Sequence, residues 1–179
     1  MRICFVAVIS RESRPLYLRA FVPEKQTKEQ GKGHQNSVDN GALEEELRCN
    51  MLAHMSLDVF DSGVVPATTG KTATLLFVQD GTRVYGRATN AGVKVVIGVG
   101  ATATATVTLE GYVESDARLV EHVSDIMDGI QRAYVRAVTG AFTTIGGGSG
   151  RSSDAAVERA LRSGSVFDQS VGKLVSGDI

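Results

Sequence analysis

Gly70-Lys71-Thr72 closes the way a phosphate-binding loop closes, with a lysine to reach phosphate oxygens and a hydroxyl to hold a divalent cation. The full G-x-x-x-x-G-K-[ST] pattern needs glycine where this chain has Val65. It also needs a strand before and a helix after, so that helix N–H groups face the phosphates. The patterns here predict the reverse order, so nucleotide binding is not expected at this loop. Gly146-Gly147-Gly148-Ser149-Gly150 offers free backbone N–H groups but no lysine and no preceding strand, and reads as a linker. His34, His54 and His122 show no H-E-x-x-H or other ligand spacing. His34 lies in a polar loop, and His122 sits beside Glu121 on a predicted solvent face. No serine occupies a G-x-S-x-G elbow, and Cys4 and Cys49 lack a C-x-x-C or nucleophile context. Cys4, inside an apolar run, reads as a core thiol. No catalytic, cofactor-binding or metal-ligating residue is expected, and no enzymatic activity.

Asp58 is the residue out of place. At about 100° per residue it falls between Leu47 and Met51 on a helical wheel, within an apolar sector, with His54 near the same edge. A carboxylate in such a sector is costly unless it is paired, hydrogen-bonded or in contact with another chain. Two readings follow: a partly exposed residue near a fraying helix end, or a residue of a subunit interface.

The elements that must position these residues follow from hydrophobic periodicity. Ile3 to Ile9 is a continuous, β-branched-rich apolar run, which predicts a central strand covered on both faces. Leu16 to Phe21 follows a Ser-Arg-Pro break and mixes apolar with polar positions, as a hairpin partner nearer the sheet edge would. From 22 to 41 almost nothing is apolar, so burial cannot offset ordering entropy and a mobile loop is expected. Leu43 to Phe60 has helical spacing, with Leu47, Met51, Met55 and Val59 every fourth residue and Glu44, Glu45 and Glu46 suited to the first-turn dipole.

Three strands are predicted next, at Ala73 to Gln79, Thr82 to Thr89 and Val93 to Val99. Asp80-Gly81 joins the first two as a type I′ turn, and Asn90-Ala91-Gly92 joins the next. The Ala/Thr tract from 101 to 108 reads as an extension of the last strand or a flexible insertion, and the lack of a large side chain to bury favours the insertion. After Ser115, a good N-cap, Leu119, Val123, Ile126, Met127, Ile130, Tyr134, Ala137 and Val138 mark a long amphipathic helix. A last helical region, Asp154 to Val175, carries Val157, Leu161, Phe167, Val171 and Leu174, with a break at Ser163-Gly164-Ser165. The predicted architecture is α+β in the order ββαβββαα. Its five-stranded antiparallel sheet has one helix on one face and two on the other.

With 179 residues the chain can bury a core as one domain, 1–179, with mobile loops at about 22–41, 100–112 and 141–153. Nineteen Lys and Arg against twenty Asp and Glu leave a net charge of −1, so no nucleic-acid or anionic-membrane footprint is present. Two cysteines cannot build a disulfide framework, which suits a reducing, cytoplasmic setting. The opening apolar run is short and meets Ser10-Arg11-Glu12 at once, so neither a signal sequence nor a membrane span is expected.

Met55-Ser56-Leu57-Asp58-Val59-Phe60-Asp61, preceded by His54, resembles the His-x-Ser-Leu-Asp-Val-x-Asp motif of the sedlin branch of the TRAPP subunits, most closely its subunit 2-like members. Other pieces agree in order: Val6 to Ser10 with Pro15 to Arg19, Val84-Tyr85-Gly86 with Thr89-Asn90 and Val93-Lys94, and Phe167-Asp168. The likeness covers most of the chain except roughly 22–41, 100–112 and 145–160, and the glycine-rich stretch departs from the family's shorter, proline-containing sequence. The resemblance implies a longin, or SNARE-like, fold and a non-enzymatic adaptor in the TRAPP vesicle-tethering complex. It implies support for Rab GTPase nucleotide exchange in ER-to-Golgi or intra-Golgi transport. Expected partners are other TRAPP subunits, both small (longin-like and Bet3-like) and large, with the Rab GTPase contacted indirectly. No cofactor and no nucleic acid are expected. Membrane association would be peripheral, at Golgi and perinuclear ER-Golgi membranes, through the complex alone. By the same motif His54, Leu57, Asp58 and Asp61 would form the partner interface. The alternatives are sedlin itself or a longin regulatory domain of a SNARE, although a SNARE needs a heptad helix and an anchor for which the chain leaves no room.

Overall fold

The structure, a computed structural model, describes residues 1–22, 36–63, 72–100, 109–140 and 152–177. Its elements run β1 (Arg2–Ile9), β2 (Pro15–Ala20), α1 (Asn36–Asp61), β3 (Thr74–Gln79), β4 (Thr82–Ala88), β5 (Lys94–Gly100) and α2 (Leu109–Thr139). Two further helices follow, α3 (Ser152–Leu161) and α4 (Val166–Ser176). The five strands form one antiparallel sheet in the order β2-β1-β5-β4-β3. This is the α+β architecture expected of a longin-like fold, and each predicted strand stands within about a residue of its expected ends.

β1 is central and buried on both sides because its apolar run has no polar alternation. Ile3, Val6 and Val8 face one layer, and Cys4, Phe5, Ala7 and Ile9 face the other. Cys4 and Phe5 share a side because the β1–β5 register shifts between Ile3 and Phe5. The Phe5 ring packs on Gly98 of β5, whose missing Cβ leaves the space that the ring fills. The β3–β4 hairpin turns at Asp80 (φ 47) and Gly81 (φ 69), the two positive φ values a type I′ turn requires.

α1 covers the Phe5 side, packing with Val84, Val96, Leu76 and Phe77. α2 covers the other side through Val123, Ile126, Met127 and Ile130, joined by Leu161 of α3 and by Phe167 and Val171 of α4. The last helical region is therefore two helices. Gly164 and the Ser165 N-cap, which accepts from the Asp168 N–H, divide it where the Ser-Gly-Ser break was expected.

α1 and α2 begin earlier than the apolar pattern predicts, at Asn36 and Leu109, so 36–41 and 109–112 of the expected loops are helical and Ser115 lies inside α2 instead of capping it; 152–153 likewise belong to α3. Residues 23–35, 101–108 and 141–151 of the expected loops lie outside the described residues, as do the Ala/Thr tract, Gly70-Lys71, the glycine-rich linker and His34.

One expectation is reversed. The helical wheel puts Leu47 and Met51 in an apolar sector where a carboxylate would be costly. They are 59% and 49% exposed. α1 turns its opposite side, Cys49, Leu52, Ala53 and Ser56, to the sheet. Leu52 is the one large residue fully buried there, and beside it Cys49, Ala53 and Ser56 leave the space into which Phe5, Val84 and Val96 rise from the sheet.

Candidate functional site

Leu43, Leu47 and Met51 recur every fourth residue and stand 55%, 59% and 49% exposed, forming an exposed apolar ridge on the outer side of α1. Continued toward the C-terminus, the same sector holds His54, Asp58 and Asp61, all exposed. Asp58 lies about 20° from Leu47 around the helix axis. Its position is thus settled as outward-facing, and its carboxylate carries no desolvation cost in the isolated chain. Leu57 is half-buried and packs into the core beneath α1. Three of the four expected interface residues therefore share the outer sector, and Leu57 stands at its flank.

The two aspartates differ. Asp61 lies 3.5 Å from the Lys94 ammonium, which also donates to Ser13 Oγ at 2.8 Å and sits 5.7 Å over the Phe60 ring. The Asp58 carboxylate has no side-chain partner among the described residues; only its backbone carbonyl is engaged, by the Ser62 N–H at 2.9 Å. An apolar ridge ending in an unengaged carboxylate fits a protein surface that presents an apolar strip and a hydrogen-bond donor or cation.

A second constellation escaped the sequence reading. The Tyr17 hydroxyl donates to Asp168 Oδ1 at 2.7 Å, and Arg19 Nη1 donates to the same oxygen at 3.1 Å and to the Asp168 carbonyl at 3.2 Å. The Gly164 N–H donates to Oδ2 at 3.0 Å. The Tyr17 ring meets Phe167 edge-on, with centroids 4.9 Å apart. Burial, then the bond to Asp168, pushes the Tyr17 phenol far above its ordinary range. Burial alone would raise the Asp168 carboxyl, but Gly164, Tyr17 and Arg19 together hold it below the usual carboxylate value.

A shallow cleft of about 340 Å³ opens beside these groups, between β2 and the α3–α4 turn. Because Tyr17, Arg19 and Gly164 all spend donors on Asp168, the group is a clasp that fixes α4 to the edge strand. The available signal was the i, i+2 placement of Tyr17 and Arg19 on one face of β2. Nothing local joined them to Asp168.

Elsewhere the buried Arg87 meets Asp128 at 2.7 Å and Gln131 at 3.2 Å, tying β4 to α2. Burial pushes the Cys49 thiol up to about 11, which leaves it un-ionised and unreactive near neutrality. Among the described residues no three His, Cys, Asp or Glu side chains converge as a metal site, and no helix is long and apolar enough to cross a membrane.

The family model described as Sedlin matches residues 8–176, a span containing both the α1 ridge and the Asp168 clasp. This chain belongs to the Sedlin family, a family of non-enzymatic TRAPP-related trafficking subunits. No curated protein matches it.

Proposed function

We propose that this chain is an adaptor subunit of the TRAPP vesicle-tethering complex, of the subunit 2-like branch, docking a neighbouring subunit on the outer side of α1. The observation that carries the reading is the exposed ridge Leu43, Leu47 and Met51 running into His54 and the Asp58 carboxylate, which is exposed and without a side-chain partner among the described residues. Family membership supports assembly into TRAPP. In this role the chain acts by contact alone: it supports nucleotide exchange on a Rab GTPase without touching nucleotide. Its place is cytoplasmic and peripheral, at Golgi and perinuclear ER-Golgi membranes, through the complex.

The test is size exclusion of the tagged protein from a gentle cell lysate, followed by mass spectrometry of each peak. Elution in a large assembly with other TRAPP subunits is expected, with loss of that peak for Asp58→Tyr. Elution of the wild-type protein alone, in the monomer-to-dimer range, overturns the reading.

A further inference from the structure

The sheet has two edges, and they are protected very differently. β2 begins with Pro15, carries Arg19, and is backed by α3 and the Asp168 clasp. These are the devices that keep an edge from pairing with another chain. β3 reads Thr-Leu-Leu-Phe-Val-Gln, with no charge and no proline, and of such devices it keeps only a short length and one bulge. Among the described residues β3 pairs with β4 on one side and with no strand on the other. Its outer row of N–H and C=O groups is left to water among the described residues, and an extended chain laid alongside could pair with it.

The side chains say which chain. Leu75 pairs with Tyr85, whose ring belongs to the α2-side core, and Val78 pairs with Arg83 two positions along β4. Leu75 and Val78 therefore both face the α2 side, where they stand 47% and 58% exposed. Leu76 and Phe77 face the α1 side. Residues three apart share a face here only because the β3–β4 register shifts between Leu75 and Phe77. That bulge makes β3 self-complementary. When two copies are laid antiparallel about a two-fold axis between Leu76 and Phe77, Leu75 falls opposite Val78 of the second copy, Leu76 opposite Phe77, and Thr74 opposite Gln79. Every pair then joins side chains of the same face, no charges are opposed, and both exposed apolar residues are covered twice over.

We infer that β3 is a homodimerisation edge, at which two copies of this chain join their sheets through antiparallel β3–β3 pairing in this register. A single six-residue strand pair is a small interface, so the dimer is weak and reversible. The edge is separate from the outer ridge of α1, and its occupancy does not depend on the adaptor reading.

Sedimentation velocity of the purified full chain, from dilute solution up to about 100 µM, tests it. A concentration-dependent dimer is expected for the wild-type protein. Val78→Lys should weaken it about tenfold or more, by setting an ammonium against Leu75 of the second copy. Adding Leu75→Glu to Val78→Lys should restore the dimer through two carboxylate–ammonium pairs across the axis, now sensitive to salt. Val166→Lys, at an exposed apolar residue of α4, should leave it unchanged. Circular dichroism of each variant shows that the fold is intact, as the exposure of all three positions requires.

A wild-type protein that stays monomeric at about 100 µM overturns the proposal. So does a dimer that Val78→Lys leaves intact, or a double variant that fails to recover. A wild-type chain that is monomeric alone but loses a TRAPP subunit on Val78→Lys assigns the edge to that subunit, and equally overturns pairing with a second copy.

Discussion

Tyr17 and Asp168 meet at 2.7 Å across 151 positions of sequence, and their bond fastens the C-terminal helix to the sheet's first hairpin. Arg19 and the Gly164 N–H converge on the same carboxylate, so one side chain holds β2, the α3–α4 turn and α4 together.

Asp168→Ala should destabilise the protein by about 2–3 kcal/mol, because it leaves a buried phenol and a backbone N–H without their acceptor. Tyr17→Phe removes one hydrogen bond and keeps the ring against Phe167, and should cost only about 1 kcal/mol. Urea unfolding of both variants checks the ratio. Equal losses would show that the carboxylate holds Tyr17 alone.

The clasp also sets a pH dependence at both ends of the scale. Its carboxyl titrates below its ordinary 3.8 in the folded state, so as pH falls past that value the unfolded chain takes up a proton first and stability declines. The Tyr17 phenol titrates above its ordinary 10.0. Above that pH the unfolded chain releases a proton that the folded chain keeps, and stability declines again. Thermal unfolding across pH should show a steeper alkaline fall for wild type than for Tyr17→Phe, and a steeper acid fall than for Asp168→Asn. Parallel curves would remove the clasp as the source.

Two glycine substitutions should move stability in opposite directions. Gly98→Ala drives a methyl into the Phe5 ring at the centre of the sheet and should cost about 1–3 kcal/mol. Gly41→Ala meets nothing within 4 Å in the first turns of α1 and should add up to about 1 kcal/mol of helix stability. Differential scanning calorimetry of the pair is sufficient.

On the α1 ridge, Asp58→Tyr and Leu47→Glu should each change unfolding free energy by less than about 0.5 kcal/mol, since both positions are exposed. Both should reduce recovery of TRAPP subunits in a pull-down. A variant that unfolds the chain would instead place its side chain in the structure's own packing.

How much of this was legible in the sequence depends on the range of the interaction. The three-stranded meander was readable because Asp80-Gly81 and Asn90-Ala91-Gly92 are local turn chemistry, and β1 because a run with no polar alternation must be covered twice. The helix wheel placed Asp58 beside Leu47 and Met51 correctly, but it could not say which side of α1 meets the sheet. The inner side is carried by Leu52 among smaller residues, Cys49, Ala53 and Ser56, which pack on Phe5, Val84 and Val96 of the sheet, and a row of large apolar residues does not by itself reveal that choice. The Asp168 clasp was illegible for another reason: no spacing rule joins β2 to α4.

The burial of Cys4 and Cys49 makes this chain a ready substrate for site-specific labelling. Both thiols lie in the layer between α1 and the sheet, and they are the protein's only two. A maleimide fluorophore or spin label would pass them by in the folded state, so Met51→Cys or Val78→Cys could be modified singly without first stripping the native cysteines. Distances between two such probes would then report, on one unaltered scaffold, what approaches the outer ridge and what approaches the open strand.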